Sequence, residues 1–249
     1  MTDDVEVLPA NQAPRHLAPG AQAPVIVSAY GGLGVQRVVN GWGMTADLRP
    51  QALTERGFLV FMLDNRGSAR RGLAFEAVVN RSLGDVEVRD QVAGVRWLAA
   101  HVPEADSTRV GIYGWSYGGY LSLMCLARAP EVFAAAVVGA PVTDWAGYEC
   151  CYTERYMGQP QAEPEAYRQS AVMTHAANIR GALLLIHGLV DENVHFRHTG
   201  RLLQESLIPL GIAYEQVVLP EERHMVRREA DRRLLERATG EFFRRHLMM

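Results

Sequence analysis

Ser116 stands at the centre of a Gly-x-Ser-x-Gly pattern, Gly114-Trp115-Ser116-Tyr117-Gly118, whose residue types could make it a nucleophile. Five residues that suit a buried strand, 109–113, precede the pattern, and a helical pattern follows it. A chain that turns at once from strand to helix strains the residue at the turn, and the two glycines allow the close approach. The turn would expose the serine hydroxyl and aim the Tyr117 N–H at a developing oxyanion. In this context the pattern favours a nucleophile over a glycine-rich turn.

A serine nucleophile needs a base, and the base needs an acid that orients it. In folds with this strand–turn–helix elbow, the chain order is Ser, then Asp or Glu, then His, each on a loop after a strand. Asp191 follows the predicted strand 182–186 within a few residues, and we prefer it as the acid to its neighbour Glu192. Asp64 also follows a predicted strand, but it precedes the serine, so we interpret it as a residue that braces a loop.

His224 is the predicted base. Of the eight histidines, only His224 and His246 follow Asp191 with real separation from it. His195 and His198 lie too near the acid, at the start of a predicted helix. His246 lies among arginines in the terminal helix, which indicates a solvated face. His224 lies in the loop directly after the last predicted strand, where the chain order requires the base.

Strands and helices alternate along the chain, which predicts a mostly parallel central sheet with helices on both faces. The predicted strands are 25–29, 58–63, 109–113, 134–138, 182–186 and 214–219. The predicted helices are 44–56, 88–99, 120–128, 197–210 and 226–246, with an aromatic segment at 145–156. We therefore predict one α/β-hydrolase domain over residues 25–249, preceded by an irregular, proline-containing lead-in over residues 1–24.

Composition excludes several classes of protein. The 249 residues are 48% hydrophobic and contain no apolar run of 18, which is typical of a globular chain and not of a membrane-spanning one. A net charge of −3 argues against a nucleic-acid-binding protein. Three cysteines do not make a disulfide framework, and the acidic amino terminus lacks an apolar signal core. We therefore expect a cytoplasmic location.

Four motifs together resemble the catalytic domain of the prolyl oligopeptidase family, with dipeptidyl peptidase IV as the most similar branch. They are Asp64-Asn-Arg-Gly67, Gly114-Trp-Ser-Tyr-Gly-Gly-Tyr120, Tyr152-Thr-Glu-Arg-Tyr-Met-Gly158 and Asp191-Glu-Asn-Val-His-Phe196. The resemblance extends from about Val25 to the carboxyl terminus. It implies a serine exopeptidase, needing no metal or cofactor, that releases an X-Pro or X-Ala dipeptide from a peptide amino terminus.

The resemblance also assigns residues around the serine. It implies that the Tyr30 hydroxyl is the second oxyanion donor beside the Tyr117 N–H, and that Asn193 holds a substrate backbone carbonyl. Stacked aromatic rings select the flat, apolar proline ring by shape, although an ordinary aromatic core patch would give the same pattern. The implied pocket for that ring consists of Tyr117, Val142, Trp145, Tyr148, Tyr152 and Val194.

Two other functions use the same residues. The first alternative is a stand-alone carboxylesterase or acyl hydrolase with the same triad, and the second is a non-catalytic interaction module. The family normally carries a β-propeller before the hydrolase domain, and that propeller grips the free amine of the substrate. The expected partners are a peptide or small ester substrate and either an upstream β-propeller or a second copy of the chain. We expect neither nucleic acid nor a membrane as a partner.

Overall fold

The computed structural model describes residues 10–39 and 48–248, and the strands within these ranges form one seven-stranded sheet. Its spatial order is β1-β3-β2-β4-β5-β6-β7. Strand β1 pairs with β3 in the antiparallel direction, and the other five neighbouring pairs are parallel. The predicted mostly parallel sheet is therefore confirmed. The strands are β1 (Ala10–Gln12), β2 (Ala23–Ser28), β3 (Leu59–Met62), β4 (Ala105–Trp115), β5 (Ala135–Gly139), β6 (Ala182–Gly188) and β7 (Glu215–Leu219).

Helices cover both faces of the sheet. Helix α8 continues into a wider, π-helical turn over Leu203–Leu207. Short 3₁₀ turns lie at Ala77–Val79, Trp145–Gly147 and Ala176–Asn178. The helices are α1 (Leu48–Thr54), α2 (Leu73–Glu76), α3 (Val86–His101), α4 (Tyr117–Arg128), α5 (Cys150–Met157), α6 (Pro164–Ser170), α7 (Val172–His175), α8 (Arg197–Leu202) and α9 (Glu229–Leu247).

The core is divided into two layers by the alternation of side chains along the strands. Val25 and Val27 of β2 pack into the layer that contains α3 and α4, whereas Ile26 between them packs into the layer that contains α1 and α9. Strand β3 repeats this division with Leu59 and Val60. Because both faces are covered, these central strands are continuous apolar runs. The sheet is thereby a rigid platform, and the loops at its carboxyl edge can carry function.

The predicted lead-in is partly wrong, because Ala10–Gln12 is a strand and β2 begins at Ala23 instead of residue 25. Strand β1 pairs along β3, whose edge would otherwise present unpaired backbone groups. The early start of β2 includes Pro24, which has no N–H to give to a ladder. The pairing register of β2 with β4 shifts between Pro24 and Val25, so an irregularity accommodates the proline.

Several helix bounds also differ from the prediction. Helix α9 begins at Glu229 instead of residue 226, because the Glu222 carboxylate accepts the backbone N–H groups of Arg227 and Arg228 and holds the chain extended there. Of the predicted helix 44–56, residues 48–54 are helical and 44–47 lie outside the described residues. Helices α2, α5, α6 and α7 were not predicted; α5 overlaps the segment 145–156, for which the sequence indicated only an aromatic character. Within the described ranges, no helix is both long and apolar enough to span a membrane.

Candidate active site

Ser116 is the strained residue of a sharp turn between β4 and α4, as the sequence predicted. Its φ of 61° and ψ of −119° lie in a region that non-glycine residues rarely adopt. A Cβ atom on Gly114 would lie 2.2 Å from the Gly118 carbonyl oxygen, and one on Gly118 would lie 2.4 Å from the Ala29 carbonyl oxygen. Both glycines are therefore required by the close approach of backbone to backbone. The serine hydroxyl is held at the carboxyl edge of the sheet.

Asp191 and His224 meet on the loops that follow β6 and β7. The distance between His224 Nδ1 and Asp191 Oδ2 is 2.8 Å. Asp191 Oδ1 accepts the backbone N–H groups of Asn193 and Val194, each at 2.9 Å, so the orientation of the carboxylate is fixed. Burial by itself raises the pKa of Asp191, but hydrogen bonds from His187 and His224 outweigh burial and hold this pKa below its ordinary range. The carboxylate is therefore ionised at neutral pH and can orient the imidazole.

Glu192 contacts the backbone of His224 instead of its ring. Glu192 Oε2 accepts the His224 backbone N–H at 3.2 Å, and Arg223 forms an ion pair with Glu192 at 3.2 Å. On the other side, the Trp115 indole N–H donates to the His224 carbonyl oxygen at 2.8 Å. The His224 backbone is thus held from two sides and its ring from a third. Sequence reasoning did not identify Trp115 in this position, although its place beside Ser116 was a signal.

The other acidic and basic candidates lie away from this pair. Asp64 is buried and accepts the backbone N–H groups of residues 37 and 38, each at 2.8 Å, so it braces a loop as predicted. His198 Nδ1 accepts the Thr143 N–H at 3.2 Å, and burial lowers its pKa to about 4, so it is neutral at pH 7. His246 lies in the last turn of α9, where its Nε2 is 3.5 Å from Glu215 at the start of β7, and it does not line the cleft in front of Ser116. His195 is exposed.

A cleft of about 410 Å³ opens in front of Ser116 and His224. Asp191 and Val194 lie behind its wall. Val194 is fully buried, its N–H donates to Asp191 and its carbonyl oxygen lies near His187, so the structure does not bring this predicted pocket residue to the surface of the cleft. Glu149 and Met225 line the cleft and were not predicted. The lining residues are Tyr30, Ser116, Tyr117, Val142, Trp145, Tyr148, Glu149, Tyr152, Asn193, His224 and Met225.

Aromatic rings form most of the apolar wall of the cleft. Trp145 is stacked on Tyr152, with 6.1 Å between ring centroids and 18° between planes, and Tyr148 meets both rings edge-on. The Tyr148 hydroxyl donates to Asn193 Oδ1 at 2.5 Å, which leaves the Asn193 amide N–H₂ group as a donor. Burial, and next the charge of Glu149, raises the pKa of Tyr148 to about 12, so its hydroxyl stays protonated.

Tyr30 lies two residues after the end of β2, and its side chain lines the cleft beside the elbow. Its ring centroid is 6.3 Å from that of Tyr117. A Cβ atom on Gly32 would lie 2.7 Å from the Tyr117 ring, so this glycine permits the two tyrosines to approach. Burial raises the pKa of Tyr30, which keeps its hydroxyl a neutral donor. Within residues 10–39 and 48–248, no group of three or more His, Cys, Asp or Glu side chains is placed to hold a metal ion.

Comparison with known proteins shows which proteins the chain resembles. The sequence profile of the prolyl oligopeptidase family matches residues 44–249. The chain is 43% identical over 217 residues to the mouse and human proteins named dipeptidyl peptidase 8, a match that covers 86% of this chain and 24% of each relative. A Bacteroides ovatus crystal structure, described as a dipeptidyl aminopeptidase IV, superposes with a TM-score of 0.93 at 34% identity, covering 98% of this chain and 34% of that chain.

Dipeptidyl peptidase 4 from Porphyromonas gingivalis superposes with a TM-score of 0.90 at 30% identity, covering 96% of this chain and 33% of that chain. These superpositions confirm the predicted α/β-hydrolase fold. The chain spans about a quarter of the length of the curated relatives that it matches.

Proposed function

The chain belongs to the prolyl oligopeptidase family of serine peptidases, and we propose that it hydrolyses peptide bonds through an acyl-enzyme formed on Ser116. One observation carries the proposal. His224 Nδ1 lies 2.8 Å from the buried Asp191 carboxylate, and His224 lines the same cleft as the strained Ser116. A serine and a base that line one cleft, with an acid hydrogen-bonded to the base, are the groups that acyl transfer needs.

In the first half of the reaction, Ser116 Oγ attacks the substrate carbonyl carbon, and His224 Nε2 takes the hydroxyl proton. The proton on Nδ1 stays hydrogen-bonded to Asp191, which stabilises the imidazolium. The negative oxygen of the tetrahedral intermediate accepts the Tyr117 N–H and the Tyr30 hydroxyl. The carbon–nitrogen bond then breaks, the leaving amine takes the proton from His224, and the acyl group remains on the serine.

In the second half, water enters in place of the amine. His224 takes one proton from the water while the water oxygen attacks the acyl carbon. The Tyr117 N–H and the Tyr30 hydroxyl donate to the new oxyanion. Collapse of this intermediate breaks the bond to Ser116 Oγ, which recovers its proton from His224. The products are a free amine and a carboxylic acid. The reaction consumes only the substrate and one water molecule.

We extend the proposal to substrates with proline or alanine at the cleaved position, released as dipeptides. The support is the aromatic wall of Tyr117, Trp145, Tyr148 and Tyr152, which suits a small apolar ring that has no N–H. The Asn193 amide N–H₂ group is available to a substrate carbonyl because its oxygen already accepts the Tyr148 hydroxyl. The names of the relatives, dipeptidyl peptidases 8 and 4, support the release of dipeptides.

The test is to treat the purified chain with a fluorophosphonate probe and then to measure hydrolysis of Gly-Pro-p-nitroanilide and of a p-nitrophenyl ester. We expect labelling and hydrolysis of both substrates, and loss of all three in Ser116→Ala. Labelling together with ester hydrolysis alone would favour the carboxylesterase alternative. A chain that does not label at all would be the non-catalytic module.

The partners and the location of the chain are proposals as well. The resemblance favours a β-propeller or a second copy of the chain beside the cleft, which light scattering with and without the corresponding propeller would detect. We propose a cytoplasmic location because Cys150 and Cys151 are exposed, unpaired thiols, and such thiols persist in a reducing compartment. Cell fractionation would test this location.

A further inference from the structure

A buried carboxylic acid lies behind the wall of the cleft. Glu87 is in the first turn of α3, and none of its surface is exposed. Within the described residues, no arginine or histidine forms an ion pair with it, and Oε2 is buried without a hydrogen-bond partner. Burial raises the pKa of Glu87. A side chain in this position destabilises the fold relative to an apolar one, so its contacts require an explanation.

Among the described residues, the one side chain hydrogen-bonded to Glu87 is that of Tyr117, which is part of the proposed site. Glu87 Oε1 accepts the Tyr117 hydroxyl at 2.6 Å and the Gly84 backbone N–H at 3.0 Å. The Gly84 loop is itself fixed, because Arg128 donates to the Gly84 carbonyl oxygen at 2.7 Å. Burial, and next the charge of Glu87, raises the pKa of Tyr117 well above its ordinary value, so the hydroxyl keeps its proton and donates. The carboxyl group is thus a fixed anchor for one tyrosine hydroxyl.

Tyr117 connects this anchor to the cleft. Its ring lines the cleft and packs 5.4 Å from Trp145 and 6.3 Å from Tyr30 between centroids. Its backbone N–H follows Ser116 directly and is the proposed oxyanion donor. A ring held only by packing can tilt, whereas a ring tied at its far end by a hydroxyl cannot tilt without losing that hydrogen bond. The hydrogen bond to Glu87 therefore restricts the shape of the wall.

We propose that Glu87 is a positioning residue for substrate selection: by holding the Tyr117 hydroxyl, it fixes the aromatic wall that receives the residue at the cleaved position. This inference rests on the proposed function, since it assumes that the cleft takes the acyl part of a substrate. Glu87 touches neither the substrate nor the reacting atoms. Its effect should therefore be seen in the choice between substrates more than in the rate of a small one.

The experiment compares kcat/KM for Gly-Pro-p-nitroanilide and Gly-Leu-p-nitroanilide, with active enzyme counted by fluorophosphonate labelling. Tyr117→Phe removes the donor and keeps the ring, Glu87→Leu removes the acceptor, and Glu87→Gln keeps an oxygen that can accept. The matched control is Tyr120→Phe on the same helix, whose hydroxyl donates to the Ser170 carbonyl oxygen and whose ring does not line the cleft. The double variant Glu87→Leu/Tyr117→Phe completes a cycle.

We expect the preference for proline over leucine to fall by about five-fold in Tyr117→Phe and in Glu87→Leu, the value of one hydrogen bond. The double variant should lose no more than the larger single effect, Glu87→Gln should keep most of the preference, and Tyr120→Phe should lower the melting temperature without changing the ratio. Should Glu87→Leu fail to fold, the Tyr117→Phe and Tyr120→Phe comparison still decides. An unchanged ratio in Tyr117→Phe, or effects that add in the double variant, would overturn the inference.

The same measurements separate this inference from the proposed function. A wild-type chain that labels and cleaves both anilides, with unaltered ratios in the variants, overturns only the role of Glu87. If the wild type labels but cleaves only esters, the ratio of p-nitrophenyl butyrate to p-nitrophenyl acetate tests the same wall with the same variants and the same expected loss. A wild type that does not label overturns the proposed function and this inference with it.

Discussion

Asparagine in place of Asp191 tests the proposed triad sharply, because the structure determines which way the new amide would turn. Two backbone N–H groups, from Asn193 and Val194, donate to Asp191 Oδ1 at 2.9 Å each. An amide nitrogen cannot accept them, so the amide oxygen must take that position. The amide N–H₂ group then takes the position of Oδ2, at 2.8 Å from His224 Nδ1.

An amide donor at this position changes the tautomer of the imidazole. His224 Nδ1 would accept from the amide, so the single proton of the neutral ring would lie on Nε2, and Nε2 could no longer take the proton of Ser116. We therefore expect Asp191→Asn to lower kcat by roughly 10³- to 10⁴-fold, equivalent to about 4–5.5 kcal/mol of transition-state stabilisation. KM should change little, because the carboxylate does not line the cleft.

The assay is steady-state hydrolysis of a p-nitrophenyl ester, with circular dichroism to show that the fold is retained. Glu192→Gln is the matched control: it changes the neighbouring residue in the same way, and its amide oxygen can still accept the His224 backbone N–H. We expect the control to stay within about three-fold of wild type, as for an exposed contact. A loss in Glu192→Gln as large as that in Asp191→Asn, or less than a ten-fold loss in Asp191→Asn, would refute the reasoning.

Three further predictions concern the oxyanion donor, the elbow and the acid limb of stability. Tyr30→Phe should lower kcat by on the order of 10² with little change in KM, because a donor to the oxyanion acts in the transition state; a shift in melting temperature with normal kcat would instead indicate a packing role. Gly114→Ala should cost about 3 kcal/mol or more in the free energy of unfolding, because its Cβ would lie 2.2 Å from a carbonyl oxygen. Gly200→Ala, with nothing within 4 Å of the added atom, should instead stabilise by about 0.5–1 kcal/mol in urea titrations. The pKa of Asp191 in the folded chain lies below its usual 3.8. Its ionised carboxylate therefore stabilises the folded state fully above about pH 4, and this stabilisation is lost as the pH falls further. Below about pH 4, the melting temperature of Asp191→Asn should consequently fall less steeply than that of the wild type.

The sheet and the elbow could be predicted from the sequence because local patterns determine them. Continuous apolar runs such as 58–63 and 182–186 indicated strands covered on both faces, and the glycines around Ser116 indicated a turn in which backbone meets backbone. The distances at Gly114 and Gly118 give the physical reason for that spacing. Strand β1 has three residues and no pattern of its own, so only its pairing with β3 makes it a strand.

The contacts that support the site could not be predicted, because they join residues far apart in the chain. The Trp115 indole N–H donates to the carbonyl oxygen of His224, 109 residues later, and Glu87 accepts from a tyrosine 30 residues later. No sequence pattern around Trp115 or Glu87 indicates which residue its side chain contacts. Glu87 occurs in the first turn of an amphipathic helix, where a glutamate is ordinarily exposed and interacts with the helix dipole. Only packing of α3 against α4 turns it into a buried acceptor.

The two halves of the proposed site are held by different means. Trp115 donates to the His224 carbonyl oxygen, Glu192 accepts the His224 backbone N–H, and Asp191 accepts from its ring, so the base is fixed by several contacts on a loop. Ser116 is fixed instead by backbone geometry, with a strained φ that Gly114 and the start of α4 impose. A loop backbone held by several hydrogen bonds can lose one of them and keep nearly the same position. A turn whose shape depends on close backbone contact cannot accept an added side-chain atom without moving. The demand on residue type is therefore strict at the glycines of the elbow and at Asp191, which contacts the ring, and weaker at Trp115 and Glu192, which hold only the backbone of His224.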